Sequence, residues 1–83
     1  MGLVPSHSDV FRAVADPTRR ALLDLLSQAE RTVTDLADPF GMTQPAISQH
    51  LRILREASLV RERRVGRQRV YQINSGPLRE ICD

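Results

Sequence analysis

The spacing of hydrophobic positions along the chain changes once, just after Ser58. Before that residue, apolar side chains recur every three or four positions, which is typical of amphipathic helices. After it, apolar and polar residues alternate through LVRERRVGRQRVYQI, which is the pattern of a β-hairpin with one face packed inward. The chain is therefore predicted to be mainly α-helical, with a β-hairpin in its C-terminal part.

The first two helices are predicted from their N-terminal caps. Ser8 is a candidate N-cap for a short helix, DVFRAVA, and Asp16 is a candidate N-cap for the helix PTRRALLDLLSQA, with Pro17 at its first position. The apolar positions that share a face of the first helix are Val10, Phe11 and Val14. Those that share a face of the second are Leu22, Leu25, Leu26 and Ala29.

The next segment has the helix-start and helix-end residues that are typical of a helix-turn-helix. Thr32 and Asp35 resemble a capping box that opens a third helix around VTDLAD. Pro39 should stop or bend that helix because it has no amide hydrogen to bond four residues back, and Gly41 supplies a sharp exit. Thr43 then caps a fourth helix, with Pro45 in its first turn. Two helices joined by such a short Gly-containing turn form a helix-turn-helix.

The fourth helix has two chemically different halves. Its entry angle is fixed by a hydrophobic staple between Met42 and Ile47. At ~100° per residue, the apolar half holds Ala46, Ile47, Leu51, Ile53, Leu54 and Ala57. The polar half holds Gln44, Ser48, Gln49, Arg52, Arg55 and Glu56. Gln, Ser and Arg hydrogen-bond to base edges and phosphates, and a helix fits the DNA major groove. The alternative is an ordinary solvated face, which is more usually built from Glu, Lys and Ala.

The predicted hairpin is basic. A turn centred on Gly66 and Arg67 pairs Val60 with Ile73, Glu62 with Tyr71, and Arg64 with Arg69. Facing like charges are destabilising in isolation, so we expect the last pair to hold an anion. A helix-turn-helix followed by a basic β-hairpin is a winged helix-turn-helix.

Composition is consistent with one small globular domain. The chain has 83 residues, of which 41% are hydrophobic and 27% charged, and a chain this short buries only about 60% of its unfolded surface. No apolar run approaches the roughly 20 residues that span a bilayer. Residues 1–8 are interpreted as a disordered lead-in or tag remnant, and residues 9–81 as the domain. The single cysteine, Cys82, excludes an internal disulfide and suggests the reducing cytoplasm.

Positive charge is concentrated in one part of the chain. All 12 cationic residues are Arg, and the segment 52–69 holds seven of them against two Glu, a net charge of +5. The rest of the chain carries −3. This distribution suggests an anionic partner on one side, although a solvated charged surface is the alternative that position alone does not exclude.

Individual reactive residues do not form an active site. His50 lies in the middle of the apolar arc, which favours a core histidine with hydrogen-bond partners over a ligand or base. Ser48 and His50 are two residues apart on a helix, so they cannot pair as nucleophile and base. Tyr71 is expected in the hairpin core, and Cys82 is interpreted as an ordinary thiol, with a redox role left open. The chain is predicted not to be an enzyme. The competing function is a winged helix used as a protein-interaction module.

Three segments in this order, FRAVADPTRRALLDLL, TQPAISQHLRILREASLV and RRVGRQRVYQI, resemble transcriptional repressors of the ArsR/SmtB family. The resemblance covers roughly residues 9–81. It implies a homodimeric winged helix that binds a pseudo-palindromic operator in double-stranded DNA, usually repressing its own promoter, in the cytoplasm at the nucleoid. It also implies that Gln44, Ser48 and Gln49 enter the major groove, with Arg64 and Arg67 on the wing. The full set of predicted DNA-binding residues is Thr43, Gln44, Ser48, Gln49, Arg52, Arg64, Arg67 and Arg69.

Two departures from the family pattern concern metal and dimerisation. Metal-sensing members place paired thiols in the helix before the turn, where this chain has TVTDLADPFG, without Cys or His. We therefore expect no metal, no other cofactor, and membership of the branch without a metal site. The terminal helix that helps other members dimerise does not develop in LREICD. Either the first helix carries more of the dimer interface, or the sequence is truncated before that helix.

Overall fold

The computed structural model describes residues 7–74 and shows a winged helix-turn-helix. Its elements are α1 (His7–Ala15), α2 (Pro17–Gln28), β1 (Arg31–Thr32), α3 (Val33–Phe40), α4 (Gln44–Glu56), β2 (Val60–Val65) and β3 (Gln68–Ile73). The lead-in up to residue 6, the segment LREICD and Cys82 lie outside the described residues. Helix α1 begins at His7, two residues before the predicted start of the domain, so Ser8 lies within the helix and not at its N-cap position.

The other three helix caps are confirmed. Asp16 Oδ1 accepts hydrogen bonds from the backbone N–H groups of Thr18, at 2.7 Å, and Arg19, at 3.3 Å. The capping box of α3 is complete, with both bonds between Thr32 and Asp35 present. At α4, Thr43 Oγ1 accepts from the backbone N–H of Ala46 at 3.3 Å. These side chains satisfy amide donors that a helix start otherwise leaves unpaired.

The turn between α3 and α4 differs from the prediction in one respect. Pro39 lies inside α3, which continues to Phe40, so the proline does not end the helix before itself. It forfeits only one hydrogen bond in the last turn. Gly41 has a left-handed backbone, with φ of 62°. Its N–H donates to the Asp38 carbonyl at 3.1 Å, and the Met42 N–H donates to the Ala37 carbonyl at 3.4 Å. This is a Schellman arrangement, and it turns the chain sharply into α4.

The hairpin has the predicted register and a third strand that was not predicted. Val60 pairs with Ile73, Glu62 with Tyr71, and Arg64 with Arg69. The sheet order is β1-β3-β2, in which β1 pairs with β3 through Arg31 and Tyr71 and through Thr32 and Val70. Two residues are too few to show an alternating pattern, so β1 has no periodic signal in the sequence. Since α3 follows β1 directly, this pairing fixes the start of the helix-turn-helix against the wing.

The core lies under α4. Its largest fully buried side chains are Leu22, Leu36, Ile47, Leu51 and Leu54, three of which come from the apolar half of α4. The polar half is consequently held outward. Phe11 of α1 stays outside this core and is 72% exposed. None of the helices within residues 7–74 has the length and apolar character needed to cross a membrane.

Candidate nucleic-acid interface

The polar edge of α4 and the hairpin face each other across a surface cleft. Its lining residues are Thr32, Val33, Thr34, Gln44, Ser48, Arg67, Gln68 and Arg69. Two predicted residues from the helix, Gln44 and Ser48, thus share one surface with two from the wing, Arg67 and Arg69. Burial of the apolar half of α4 and the hairpin register bring these distant segments together.

A second cleft extends this surface along α4. Its lining residues are Ser48, Gln49, Arg52, Arg55, Arg69 and Tyr71. Ser48 and Arg69 line both clefts, so the two form one continuous face. Arg64 lies around the hairpin, in a third cleft that Arg69 also lines. Thr43 is exposed at the start of α4, where its oxygen is already engaged as the N-cap. Its hydroxyl proton remains available for donation.

Gln44 has a partner that orients its amide. Its Nε2 donates to the hydroxyl of Thr34 at 3.2 Å, across the two helices of the helix-turn-helix. Both residues are exposed, so this bond competes with water and can be exchanged for another acceptor. Thr34 was not among the predicted site residues. Thr34 lies two positions after the Thr32 cap. In a helix-turn-helix the start of α3 lies beside the start of α4, so the motif itself would have indicated Thr34 as a residue of the same cleft.

Glu62 is the centre of the charged network in the wing. It forms ion pairs with Arg55 of α4 and with Arg69, whose Nε lies 3.5 Å from Oε2, and it accepts a hydrogen bond from the Tyr71 hydroxyl at 3.1 Å. The predicted juxtaposition of Arg64 and Arg69 is present, but Arg69 turns back to Glu62. The repulsion is therefore relieved by a carboxylate within the protein, and an external anion is not required for it.

The same network raises the pKa of the Tyr71 phenol above its ordinary value of 10.0. Burial is the largest cause, because it disfavours the phenolate. The hydrogen bond to Glu62 and the negative charge of that carboxylate act in the same direction, while Arg55 and Arg69 oppose them. Tyr71 is 4% exposed and lies in the hairpin core, as predicted.

The remaining arginines of the site differ in how firmly they are held. Arg52 pairs with Glu56 at 3.1 Å, but the two side chains are 72% and 61% exposed. Such exposed pairs contribute about 0–1 kcal/mol, so a phosphate can replace the carboxylate at little cost. Within residues 7–74, the side chains of Arg64 and Arg67 have no hydrogen-bond or ion-pair partner, and both residues are exposed. They are the charges that are directly available to a ligand.

Two further arginines were not assigned to the site from sequence. Arg55 was placed on the polar half of α4, but its link to Glu62 depends on the packing of helix against hairpin. Arg63 pairs with Glu30, 33 residues earlier in the chain. No local pattern identifies such a long-range pair.

His50 has a structural partner and no metal cluster around it. Its Nδ1 lies 3.2 Å from Arg19 Nη1, so the predicted hydrogen-bond partner is present. The predicted core position is not, because His50 is half-buried and lies at the edge of the core cluster. In the part of the chain that the structure describes, no group of three or more His, Cys, Asp or Glu side chains is arranged to hold a metal ion.

A helix-turn-helix whose outward polar edge adjoins a basic β-hairpin defines the winged helix-turn-helix regulators of transcription. The profile of the family described as "Bacterial regulatory protein, arsR family" matches residues 16–62. The chain belongs to this family of bacterial transcriptional regulators.

Relatives and solved structures agree with this assignment. The chain is 40% identical over 73 residues to the transcriptional repressor SdpR of Bacillus subtilis, covering 88% of this chain and 81% of that protein. It is 41% identical over 73 residues to the HTH-type transcriptional regulator KmtR of Mycobacterium tuberculosis, covering 88% of this chain but 56% of KmtR. The solution structure of the homodimeric winged helix-turn-helix DNA-binding domain of Mb0332 from Mycobacterium bovis superimposes with a TM-score of 0.80. That match has 34% identity and covers 89% of this chain and 68% of the solved Mb0332 chain, a fragment of that protein.

Proposed function

We propose that this protein is a sequence-specific repressor that binds a pseudo-palindromic operator in double-stranded DNA as a homodimer. The observation that carries the proposal is the cleft where Gln44 and Ser48 of α4 share one surface with Arg67 and Arg69 of the hairpin. Amide and hydroxyl groups suit base edges, and guanidinium groups suit phosphates. Autorepression in the cytoplasm, at the nucleoid, is part of the same proposal.

The two elements have different tasks in this proposal. Gln44, Ser48 and Gln49 read base edges in the major groove, since they lie on the outward edge of α4. Arg64 and Arg67, which have no partner within residues 7–74, bind the sugar–phosphate backbone from the wing. Arg52 leaves Glu56 and Arg69 leaves Glu62 when each binds a phosphate. Thr43 donates its hydroxyl proton to a phosphate near the start of α4.

A homodimer is proposed because one domain contacts only a short stretch of DNA. A single recognition helix contacts only a few bases, whereas a two-fold pair reads two half-sites about one helical turn apart. Exposure of 72% of Phe11 gives α1 an apolar group that a second copy can cover. The homodimeric state of the Mb0332 domain supports the same arrangement here.

The proposal is tested by selecting binding sites from random duplexes and then titrating the selected duplex and a scrambled one at several salt concentrations. Gln44→Ala should weaken binding to the selected duplex by about 1–3 kcal/mol, and change scrambled-duplex binding little, because a base contact is lost. Arg64→Ala should weaken both duplexes and lower the slope of log K against log salt by about 0.9 per subunit. Its matched control is Arg61→Ala, which removes the same charge from the other face of β2.

Three results would contradict the proposal in different ways. If selection enriches no sequence, the chain is not a specific DNA reader, and the protein-interaction module becomes the better function. If Gln44→Ala weakens both duplexes equally, α4 does not read bases. If Arg64→Ala leaves the salt slope as unchanged as Arg61→Ala does, Arg64 does not contact a phosphate.

A further inference from the structure

Two adjacent arginines of α2 cap the whole C-terminal end of α1. A helix leaves its last four carbonyls without an intrahelical partner, and here those belong to residues 12–15. Arg19 donates from Nη2 to the Arg12 carbonyl at 2.9 Å and from Nε to the Ala13 carbonyl at 2.8 Å. Arg20 donates from Nη1 to the carbonyls of Val14 and Ala15, at 2.8 and 3.1 Å. The end of α1 is therefore fixed to the start of α2.

Only one of these two arginines continues to α4. The third nitrogen of Arg19, Nη1, lies 3.2 Å from His50 Nδ1. It is also 4.0 Å from Asp16 Oδ2, and the Arg19 side chain is only 12% exposed. Arg20 is exposed, and within residues 7–74 its side-chain bonds go to α1 alone. The guanidinium of Arg19, which is largely shielded from solvent, thus joins α1, α2 and α4.

The chemistry of this contact defines the state of His50. A guanidinium has five N–H donors and no acceptor, so Nδ1 of His50 is the acceptor when the two groups hydrogen-bond. His50 faces α2, whereas Ser48 and Gln49 belong to the outward edge of the same helix. A bond that holds His50 therefore adds to core packing a second constraint on how α4 is rotated about its axis, and with it on the direction of the polar edge.

We propose that Arg19 is a positioning residue for DNA recognition, which fixes α4 relative to α1 through His50. The inference rests on the proposed function, in which α1 carries the dimer contact and α4 reads the bases. In a two-fold dimer, the separation of the two α4 helices depends on how each is held against its own α1. Arg19 then maintains the half-site spacing that the dimer can read, without contacting DNA.

The test compares substitutions that keep charge but change geometry. Arg19→Lys retains the cation, but its single nitrogen cannot reach the three separated acceptors that three guanidinium nitrogens contact, and His50→Leu removes the acceptor from α4. Each should reduce affinity for the selected duplex about tenfold, the size of one hydrogen bond involving a charged group, and leave scrambled-duplex affinity and the salt slope unchanged. His50→Gln keeps an acceptor and should retain most of the discrimination. Arg20→Lys is the matched control, because it loses bonds to the same helix end without touching α4.

Two further measurements separate positioning from a general loss of stability. Arg19→Lys combined with His50→Leu should lose no more discrimination than either change alone, since both break the same link between α1 and α4. In nitrogen-15 NMR spectra of the free protein, Nδ1 of His50 should be the unprotonated ring nitrogen, and its resonance should move in Arg19→Lys but not in Arg20→Lys. His50→Gln identifies the signal against that of His7, the other histidine of the chain.

The outcomes distinguish this inference from the proposed function. If the wild-type protein prefers no duplex, both fail. If it does, but Arg19→Lys discriminates as well as wild type or loses no more than Arg20→Lys, the positioning role alone is wrong. Additive losses in the double variant, or a protonated Nδ1, would equally overturn it.

Discussion

At the scale of single residues, the availability of an arginine depends on the carboxylate beside it. Glu62 holds Arg55 and Arg69, whereas Arg64 and Arg67 have no such partner within residues 7–74. The net charge of the segment does not distinguish paired arginines from unpaired ones. The ion pairs divide these arginines into two groups. A phosphate can bind an unpaired arginine directly, whereas a paired arginine must first leave its carboxylate, and breaking the pair costs more free energy where it is partly desolvated.

The state of the Glu62 network can be measured through Tyr71. The chain contains one Tyr and no Trp, so an ultraviolet absorbance titration reports this phenol alone. We expect a midpoint above 10.0, because burial and Glu62 both raise the pKa. Glu62→Gln should lower the midpoint while leaving it above 10.0, since burial remains. A midpoint at or below 10.0 in the folded protein would show that the phenol is not held in this network.

The raised pKa of Tyr71 also predicts how stability depends on pH. The folded state favours the neutral phenol relative to the unfolded chain, whose phenol titrates near 10.0. The associated stability is fully present below that unfolded value and is lost as the pH rises through the higher folded value. Tyr71→Phe has no such group, so chemical unfolding of this variant should show less loss of stability on going from neutral to strongly alkaline pH. An equal alkaline loss in both proteins would contradict the assignment.

At the scale of elements, two helices end with the same backbone conformation but with different residues. Gly41 and Ser58 have φ values of 62° and 60°. After α4, the Ser58 N–H donates to the Arg55 carbonyl at 2.9 Å and the Leu59 N–H donates to the Leu54 carbonyl at 3.0 Å, which is again a Schellman arrangement. The left-handed conformation suits glycine and strains serine, so the second motif carries a local cost that the first does not.

Exchanging residue types at these two positions should change stability in opposite directions. Gly41→Ala should destabilise the fold by about 1 kcal/mol, although the space around it is open, because φ itself is unfavourable for alanine. Ser58→Gly should stabilise it by about 1 kcal/mol or less, since relief of strain exceeds the added entropy of the unfolded chain. Denaturant unfolding measures both free energies. Destabilisation by Ser58→Gly would mean that the serine side chain contributes contacts that outweigh the strain.

Elements determined by neighbouring residues could be predicted from sequence, and those determined by distant ones could not. The caps at Asp16, Thr32 and Thr43 and the hairpin register follow from local hydrogen bonding and turn chemistry. Strand β1 exists only because β3 lies beside it, and the Arg63–Glu30 pair joins segments far apart in the chain. The same division applies to the site. Its residue types were visible on the helix wheel, but the Gln44–Thr34 contact required the packed helices.

At the scale of the whole molecule, α1 leaves a large apolar side chain outside the core. Among residues 9–15 only Ala13 is fully buried, while Phe11 is 72% exposed. Phe11 and Val65 are the large apolar residues that stand exposed within residues 7–74, and they lie on different elements, α1 and the end of β2. Sequence periodicity grouped Phe11 with Val10 and Val14 but gave no means of deciding whether this face would meet the core or another subunit.

The exposed phenylalanine provides the test of the proposed homodimer. An isologous interface contains each residue twice, so Phe11→Ser removes two apolar side chains from one seam. Each buried phenylalanine contributes about 1.5–3 kcal/mol, so sedimentation velocity should show the dimer dissociation constant rising by a hundredfold or more. The monomeric fold should persist, because Phe11 packs little against its own core.

Val65→Ser serves as the matched control, since it also removes an exposed apolar side chain, 50% accessible, but from the wing. It should leave the dimer intact. If α1 forms the dimer interface, Phe11→Ser should also shift binding towards single half-sites, because each recognition helix then acts alone. Site selection with this variant should return a sequence of half the length, and its preference for that duplex over scrambled DNA should be weaker. A wild-type protein that sediments as a monomer at tens of micromolar and binds the selected duplex one chain at a time would refute the dimer. A dimer that survives Phe11→Ser unchanged would place the seam outside α1, and the Arg19 link between α1 and α4 would then have no part in setting half-site spacing.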